Sequence, residues 1–395
     1  MSVILGCIVG AASAVFLNLL HRATDYRDTH LWIIYFLPLA GLFIGFSYHY
    51  FGKDAVKGNN LLIEELQSPK KIIPLIMAPL VFAGTIVTHL FGGSAGREGT
   101  AVQVGGAIAD QFTKVLKLKP RDRKIILICG ISAGFASVFG TPLAGAVFGL
   151  EIFMIGSLLY TAILPSFISA VVAHYICVQL GAHHTQYDVP DVPAIDLLRA
   201  GYCLATGILF GLAARSFSIL NQKLSALFKR IKYPPLRPVV GGVIFLAIVI
   251  GFGAYRFLGL GLPEISAAFI KQEDYYTFAV KIALTALTLS AGFKGGEVTP
   301  LFFIGATLGS FLSVFVPLPV GLLAAMGFVA VFSGAANTPL ACIFMGIELF
   351  GGATGIYIAL ACVMAYIFSG HSGIYESQGI GSPKHLLLKR HQFLR

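Results

Sequence analysis

The sequence predicts an all-α polytopic membrane protein built from two repeated halves of tilted and broken transmembrane helices. Three observations carry that prediction. Hydrophobic residues make up 56% of the 395, charged residues only 12%, and mean hydropathy is +0.83. A soluble fold would have to hide more apolar surface than one core can take, and lipid-exposed backbone must satisfy its own hydrogen bonds, which selects helices. Many apolar stretches are too short, or too broken by Gly and Pro, to cross alone: Gly134 to Pro142, Gly292 to Pro300 and Gly334 to Pro339. Broken backbone at membrane depth is tolerated only where it lines a protein cavity. The chain also repeats itself. The run from Thr141-Pro142-Leu143-Ala144 to Glu151-Ile152-Phe153 recurs 197 residues later, from Thr338-Pro339-Leu340-Ala341 to Glu348-Leu349-Phe350. Gly96-Arg97-Glu98-Gly99-Thr100 is echoed 200 residues on by Gly296-Glu297-Val298-Thr299-Pro300. A nearly constant offset divides one membrane domain into approximate halves, 1–195 and 196–395, and points to a midplane site between them. Shared Thr-Pro-Leu-Ala, a Glu ten residues after the Thr and a terminal Phe exceed chance similarity of apolar segments.

Taken in order, the N-terminus enters an apolar segment almost at once, with no basic n-region or cleavage site, and reads as a retained first membrane helix. Leu61 to Leu66 follows Gly58-Asn59-Asn60, where either asparagine suits a helix cap. Glu64 and Glu65 read as solvated or paired with Lys70 and Lys71. The basic stretches Lys114 to Lys124, Lys229 to Arg237 and Lys384 to Arg395 orient the chain with these loops in the cytoplasm. His183 to Asp196 carries Asp188, Asp191 and Asp196 without Lys or Arg and is expected outside. The net charge of +10 is thus a topology signal and not a nucleic-acid footprint. The six cysteines are scattered through apolar segments and read as small core residues. His183, His184 and His371 show no ligand spacing, so neither a metal nor another cofactor is expected. Glu151 and Glu348 read as structural helix-end carboxylates near the cytoplasmic face. The last apolar segment ends near Ser369, and no soluble regulatory domain is expected after it.

The most informative run is Gly92-Gly93-Ser94-Ala95-Gly96-Arg97-Glu98-Gly99-Thr100. Each charged side chain at a helix centre costs about 2.5–3.5 kcal/mol on insertion scales, so such residues face a cavity and have a task. The small residues leave backbone free to approach an ion. Thr100 onward can be helical, which puts Glu98 at or just before a helix N-terminus, where amide groups attract anions. An adjacent Arg-Glu pair at a helix start does not face itself. Together these features read as an ion site with a proton-titratable lid.

These residues carry a family resemblance. Gly96-Arg97-Glu98-Gly99 resembles the gating-glutamate motif of the CLC chloride channels and transporters. Gly296-Glu297-Val298-Thr299-Pro300 is similar to the family's second-half motif, which normally reads Gly-x-Phe-x-Pro. Gly373-Ile374-Tyr375 resembles the stretch carrying its central tyrosine. The resemblance runs from about Gly58 to Tyr375 in consistent order. It implies a homodimer with a separate anion pathway in each subunit, and a cytoplasmic N-terminus, while the basic tail puts the C-terminus on the same side.

The departures are informative. Where the family's chloride proteins read Gly-Ser-Gly-Ile-Pro, this chain reads Gly58-Asn59-Asn60-Leu61-Leu62, so Asn59 replaces the chloride-contacting serine. Thr100 replaces a proline and Val298 a phenylalanine. Arg-Glu-Gly-Thr with Glu-Val-Thr-Pro resembles the divergent bacterial branch that exports fluoride in exchange for protons. The inner proton-carrying glutamate of chloride/proton antiporters falls at Ile152, and the fluoride branch is known to couple protons without it. The resemblance implies anion-site roles for Asn59, Asn60, Gly96, Arg97, Gly99, Thr100, Val298, Thr299 and Tyr375, with Glu98 as the gate. Fluoride holds its water most tightly of the halides, so a dry site needs dense donors in exchange. Asn59 offers two N–H donors where serine offers one hydroxyl, Thr299 adds a hydroxyl and Tyr375 a phenolic O–H. Inward-pointing helix N-termini add partial positive charge.

Three other readings compete. A chloride-selective CLC channel or antiporter differs in selectivity and, as a channel, in lacking exchange. An organic-solute transporter lacks a large polar cavity signature. An intramembrane serine hydrolase would use Ser94, in a Gly-x-Ser-x-Gly pattern with His89 five residues before it, and needs the two side chains to meet. The expected activity is transport and not catalysis.

Overall fold

The computed structural model describes residues 1–384, so all of the basic tail except Lys384 lies outside the described residues. The apolar composition yields an almost entirely helical chain. In the first part α1 spans Ser2–Thr29, α2 Leu37–Ser47, α3 Asn59–Gln67 and α4 Met77–Leu90. They are followed by α5 at Glu98–Leu116, α6 at Pro120–Phe139, α7 at Pro142–Glu151 and α8 at Ile163–Gln179. After a coil through the acidic stretch come α9 at Leu197–Lys229, α10 at Leu236–Phe252, α11 at Leu262–Ala268 and α12 at Thr277–Ser290. The last are α13 at Val298–Leu312, α14 at Val320–Ala336, α15 at Pro339–Phe350 and α16 at Gly355–Phe368. Two-residue strands β1, Met154–Ile155, and β2, Gly379–Ile380, pair in parallel and tie the end of α7 to the C-terminal segment.

Chain chemistry sets the breaks. Proline opens α6, α7 and α15, where its missing N–H costs nothing. Left-handed Gly140 and Asn337 end α6 and α14, and each is followed by the Thr-Pro start of the next helix. Four helical stretches, including Ser2–Thr29 and Leu197–Lys229, are long and apolar enough to cross a bilayer, and the other apolar helices are shorter. The innermost helices, α5, α6, α13 and α14, are buried over most of their length. Glycine permits their crossing: a Cβ on Gly105 would lie 2.2 Å from the Gly130 carbonyl oxygen, and one on Gly305 2.0 Å from that of Gly327.

That crossing recurs at the offsets seen in the sequence, and so do polar contacts. The Ile73 N–H donates to Asp110 at 2.7 Å, and the Glu273 N–H donates to Ser310 at 3.0 Å, each partner 200 residues on. The repeated glutamates form a reciprocal clasp. Glu151, at the end of α7, accepts the Leu340 and Ala341 N–H groups that open α15, at 3.2 and 2.9 Å. Glu348, toward the end of α15, accepts the Leu143 and Ala144 N–H groups that open α7, at 2.9 and 2.8 Å. The α7–α15 pair is therefore antiparallel, and the repeat is inverted. Each carboxylate supplies the acceptors and negative charge that a helix N-terminus lacks. The expectation that both glutamates lie near one face is corrected: antiparallel packing puts them at opposite ends of the pair.

A further expectation changes for Glu65, while Glu64 stays partly solvated. Glu65 is buried, accepts the Lys70 and Lys71 backbone N–H groups, and pairs with Arg123 at 3.0 Å. Arg123 also holds the buried Asp110 at 2.7 Å, and Glu64 pairs with Lys57 at 2.7 Å rather than with Lys70 or Lys71. The helix packing that brings α6 beside α3 and α5 gave Glu65 and Asp110 their Arg123, which local spacing does not encode, whereas Lys57–Glu64 is a local pair seven residues apart.

Candidate functional site

The two glycine-rich breaks meet. The Gly96 N–H donates to the Gly296 carbonyl at 2.6 Å, and the Gly296 N–H donates back to the Gly96 carbonyl at 2.7 Å. This antiparallel bridge satisfies backbone that helices α4, α5, α12 and α13 leave open, as unwound chain at membrane depth requires. Only glycine fits there: a Cβ on Gly296 would sit 2.7 Å from the Gly99 backbone nitrogen, and one on Gly96 2.9 Å from both the Gly296 oxygen and a Glu98 oxygen.

Glu98 is the first residue of α5 and is 1% exposed. Its side chain crosses the bridge to the other half of the chain. There the carboxylate accepts the Thr299 N–H at 3.1 Å and the Thr299 hydroxyl, and it also accepts the Arg97 N–H at 3.1 Å. Thr299 is in the first turn of α13, so the carboxylate occupies the place where a helix N-terminus offers free amides to an anion. Arg97 Nε lies 3.7 Å from Glu98 and has no hydrogen-bond acceptor, so the pair comes closer than an i,i+1 spacing suggests. Helix-start geometry at Arg97 turns the two side chains toward each other.

Beneath the bridge, Asn59 comes up from α3. A Cβ on Gly99 would stand 3.1 Å from Asn59 Nδ2, 3.2 Å from the Gly296 Cα and 3.7 Å from Glu297 Oε2. Asn59, Gly99, Gly296 and Glu297 therefore converge on one spot. Asn59 Oδ1 and Glu297 Oε2 are both buried acceptors without a donor. Val298 is buried at the start of α13. Tyr375 is buried and lines a separate cavity of about 430 Å³ with Gln222, His371 and Gln378, which Glu98 and Thr299 do not line. A small niche of about 30 Å³ on the Arg97 side is lined by Glu98, Thr185, Tyr187, Thr299 and Phe302. Beside this niche, burial holds the His184 imidazole below its ordinary value, and Arg97 adds to that.

Other residues singled out from sequence have different partners. Asn60 Oδ1 accepts the Ser377 N–H at 3.0 Å and braces α3 against the C-terminal segment. The Thr100 hydroxyl shares a 2.6 Å hydrogen bond with Thr85. Ser94 bonds the Thr285 hydroxyl at 2.9 Å, while both ring nitrogens of His89 face the carbonyls of Thr85 and Ala95, at 2.8 and 3.0 Å. Ser94 and His89 thus do not form the hydrogen-bonded pair that a serine hydrolase needs. Sequence reasoning missed Gln103, whose amide nitrogen would lie 3.4 Å from a Cβ on Gly58 beneath the same site. Its place one turn after Gly99 was the available signal.

Comparison with known proteins agrees with this geometry. The sequence profile of the voltage gated chloride channel family matches residues 40–370. A "Chloride/fluoride channel protein" of Pseudomonas syringae pv. tomato is 49% identical over 385 residues, covering 96% of this chain and 85% of that protein. An "H(+)/Cl(-) exchange transporter ClcA" of Vibrio cholerae is 26% identical, covering 88% of this chain and 81% of the relative. The solved structure of "a CLC-type fluoride/proton antiporter" superposes with a TM-score of 0.93 at 35% identity, covering 96% of each chain. That of a slow cyanobacterial Cl−/H+ antiporter shares the fold, with a TM-score of 0.81 at 19% identity. The bridged breaks, the carboxylate seated across them and these matches together assign the chain to the voltage-gated chloride channel family, the CLC proteins.

Proposed function

We propose that this protein exports fluoride in exchange for protons across the cytoplasmic membrane of a bacterium, with Glu98 as the proton-titratable gate. The observation that carries the reading is the Glu98 carboxylate lying on the Thr299 amide and hydroxyl at the N-terminus of α13. Its oxygens stand in for an anion. As a carboxylate, Glu98 competes with fluoride for these donors. Once protonated it loses that charge and leaves them to the anion, so proton and anion movements are linked through one seat. The relative named for chloride and fluoride and the fluoride/proton antiporter of like fold both support the choice of ions.

Asn59, Gly96, Arg97, Gly99, Val298, Thr299 and Tyr375 make up the pathway in this reading, with Asn60 and Thr100 bracing it. Gly96 and Gly99 keep the backbone close, Asn59 supplies amide donors from one side and Tyr375 a phenolic donor from the other. Ile152 beside Glu151 offers no inner proton carrier. Glu297, whose buried Oε2 has no partner and lies beside Asn59, is the next candidate after Glu98. The halves 1–195 and 196–395 each supply one break and one helix N-terminus. Exposed apolar side chains on α7, α8, α15 and α16, among them Leu143, Leu164, Phe344 and Ile356, suit a homodimer interface. Both termini are assigned to the cytoplasm by the basic loops.

Proteoliposomes loaded with fluoride or chloride at matched gradients test the reading directly. Fluoride efflux is expected to be much faster, and a proton shunt is expected to alter it. Equal fluxes would leave a general chloride-transporting CLC protein. Asn59→Leu and Thr299→Val each remove donors at nearly constant volume. Each is expected to weaken fluoride binding by about tenfold, the factor that loss of roughly 1.5 kcal/mol of hydrogen bonding gives. Binding calorimetry on variants that retain the wild-type melting temperature checks this, and unchanged affinity in both would remove these residues from the site.

A further inference from the structure

A second basic feature adjoins the loop that leads into the bridge, on the face that carries the loop Lys229 to Arg237. The segment after α2, the start of α10 and the loop after α12 enclose a cavity of about 290 Å³. His49, Lys53, Arg237 and Lys294 contribute to its walls, and no Asp or Glu does. The Lys294 ammonium makes no hydrogen bond among the described residues and lies 4.0 Å from the centre of the Tyr48 ring. An aromatic face attracts a cation but accepts none of its N–H bonds, so the ammonium keeps its donors for an occupant. Arg237 spends Nε on the Ile231 carbonyl at 3.1 Å and one terminal nitrogen on the Lys229 carbonyl at 3.4 Å. Its other terminal nitrogen remains.

We infer that this cavity binds the phosphate of an anionic phospholipid headgroup, held by Lys294, Lys53 and Arg237. Three cationic donors in a pocket without carboxylates fit a phosphate monoanion. Basic pockets between membrane helices at the cytoplasmic side bind such headgroups. A lipid is favoured over free phosphate by what surrounds the cavity. Phe43 on α2 and Tyr50, Phe51 and Val56 just after it are all exposed, giving acyl chains an apolar surface beside the basic pocket. The assignment of this face to the inner leaflet rests on the orientation proposed above. Lys294 is two residues before the bridged Gly296, and the carboxylate acting on it is that of Glu297. A headgroup on Lys294 would neutralise that ammonium and steady the loop Gly292 to Gly296, so lipid binding would also quicken transport.

The test uses the full-length protein, stripped of lipid and returned to phosphatidylcholine alone or with phosphatidylglycerol. Native mass spectrometry reads retained lipid, and a fluoride electrode reads efflux. The wild type is expected to retain one phosphatidylglycerol per subunit and to transport several-fold faster with it than in phosphatidylcholine alone. The double variant Lys53→Gln/Arg237→Gln, on the cavity rim, is expected to lose both the retained lipid and the acceleration while keeping the phosphatidylcholine rate. Lys294→Gln should also lose the lipid, and Lys294→Arg should keep it. Retention is measured without transport, so it stands apart from the choice of fluoride. Equal retention by the wild type and the rim variant would overturn the proposal. A thermal shift given equally by inorganic phosphate and by phosphatidylglycerol would overturn the lipid assignment and leave a free-phosphate site.

Discussion

Glu98→Gln is expected to abolish proton uptake driven by a fluoride gradient, down to the level of protein-free liposomes. Glutamine preserves the length of the side chain but has a single acceptor oxygen and no titratable proton. The carboxylate accepts the Thr299 amide, the Thr299 hydroxyl and the Arg97 amide together, and one amide oxygen cannot serve all three. The N-terminus of α13 is then left to a free anion, so anion binding persists while its link to the proton is cut. A pH dye inside the vesicles and a fluoride electrode outside read the two ions separately. Proton pumping that survives in this variant would assign the proton to another group. Glu297 would then be tested next by Glu297→Gln, because its unpartnered oxygen lies beside Asn59 in the same site.

The second large effect is on stability. Glu151→Ala removes the acceptor for two N–H groups at the start of α15, in a place where the residue is only 6% exposed. Two charge-assisted hydrogen bonds are lost, and one buried and one part-buried donor are left bare, a cost of about 2–4 kcal/mol. Glu348→Ala opens the other half of the clasp, at α7, but Glu348 is half-buried and water can replace part of the loss. Its cost is expected to be smaller, about 1–2 kcal/mol. Glu151→Gln keeps one acceptor and should fall between wild type and Glu151→Ala. Thermal unfolding in detergent checks the order, and a Glu348→Ala variant as unstable as Glu151→Ala would show that burial does not set the cost.

Much of the architecture was legible in the chain because its causes are local or periodic. Hydropathy selects helices, and Gly and Pro at Gly140-Thr141-Pro142 or Asn337-Thr338-Pro339 end one helix and start the next. The recurrence at 197 and 200 residues announced an internal symmetry before any contact was known. Glu98 stood out for a similar reason, since a carboxylate among small residues at membrane depth is too costly to be incidental.

Tertiary packing decided the rest. Which end of the molecule Glu348 occupies depends on α7 and α15 running antiparallel, and no hydrophobic period encodes that direction. Asn59 and Asn60 are neighbours of similar chemistry, yet one faces Gly99 and the other holds Ser377. The rotation of α3 against α5 and the C-terminal segment separates them. Glu65 gained Arg123, Ser94 gained Thr285, and Lys294 gained the Tyr48 ring, all across large sequence separations. The sequence by itself determined that broken helices would meet around a buried carboxylate, because lipid leaves unwound backbone no other partner. Only the three-dimensional packing decided which donors that carboxylate reaches, because hydrogen bonds act over about 3 Å and helix crossings set positions on that scale.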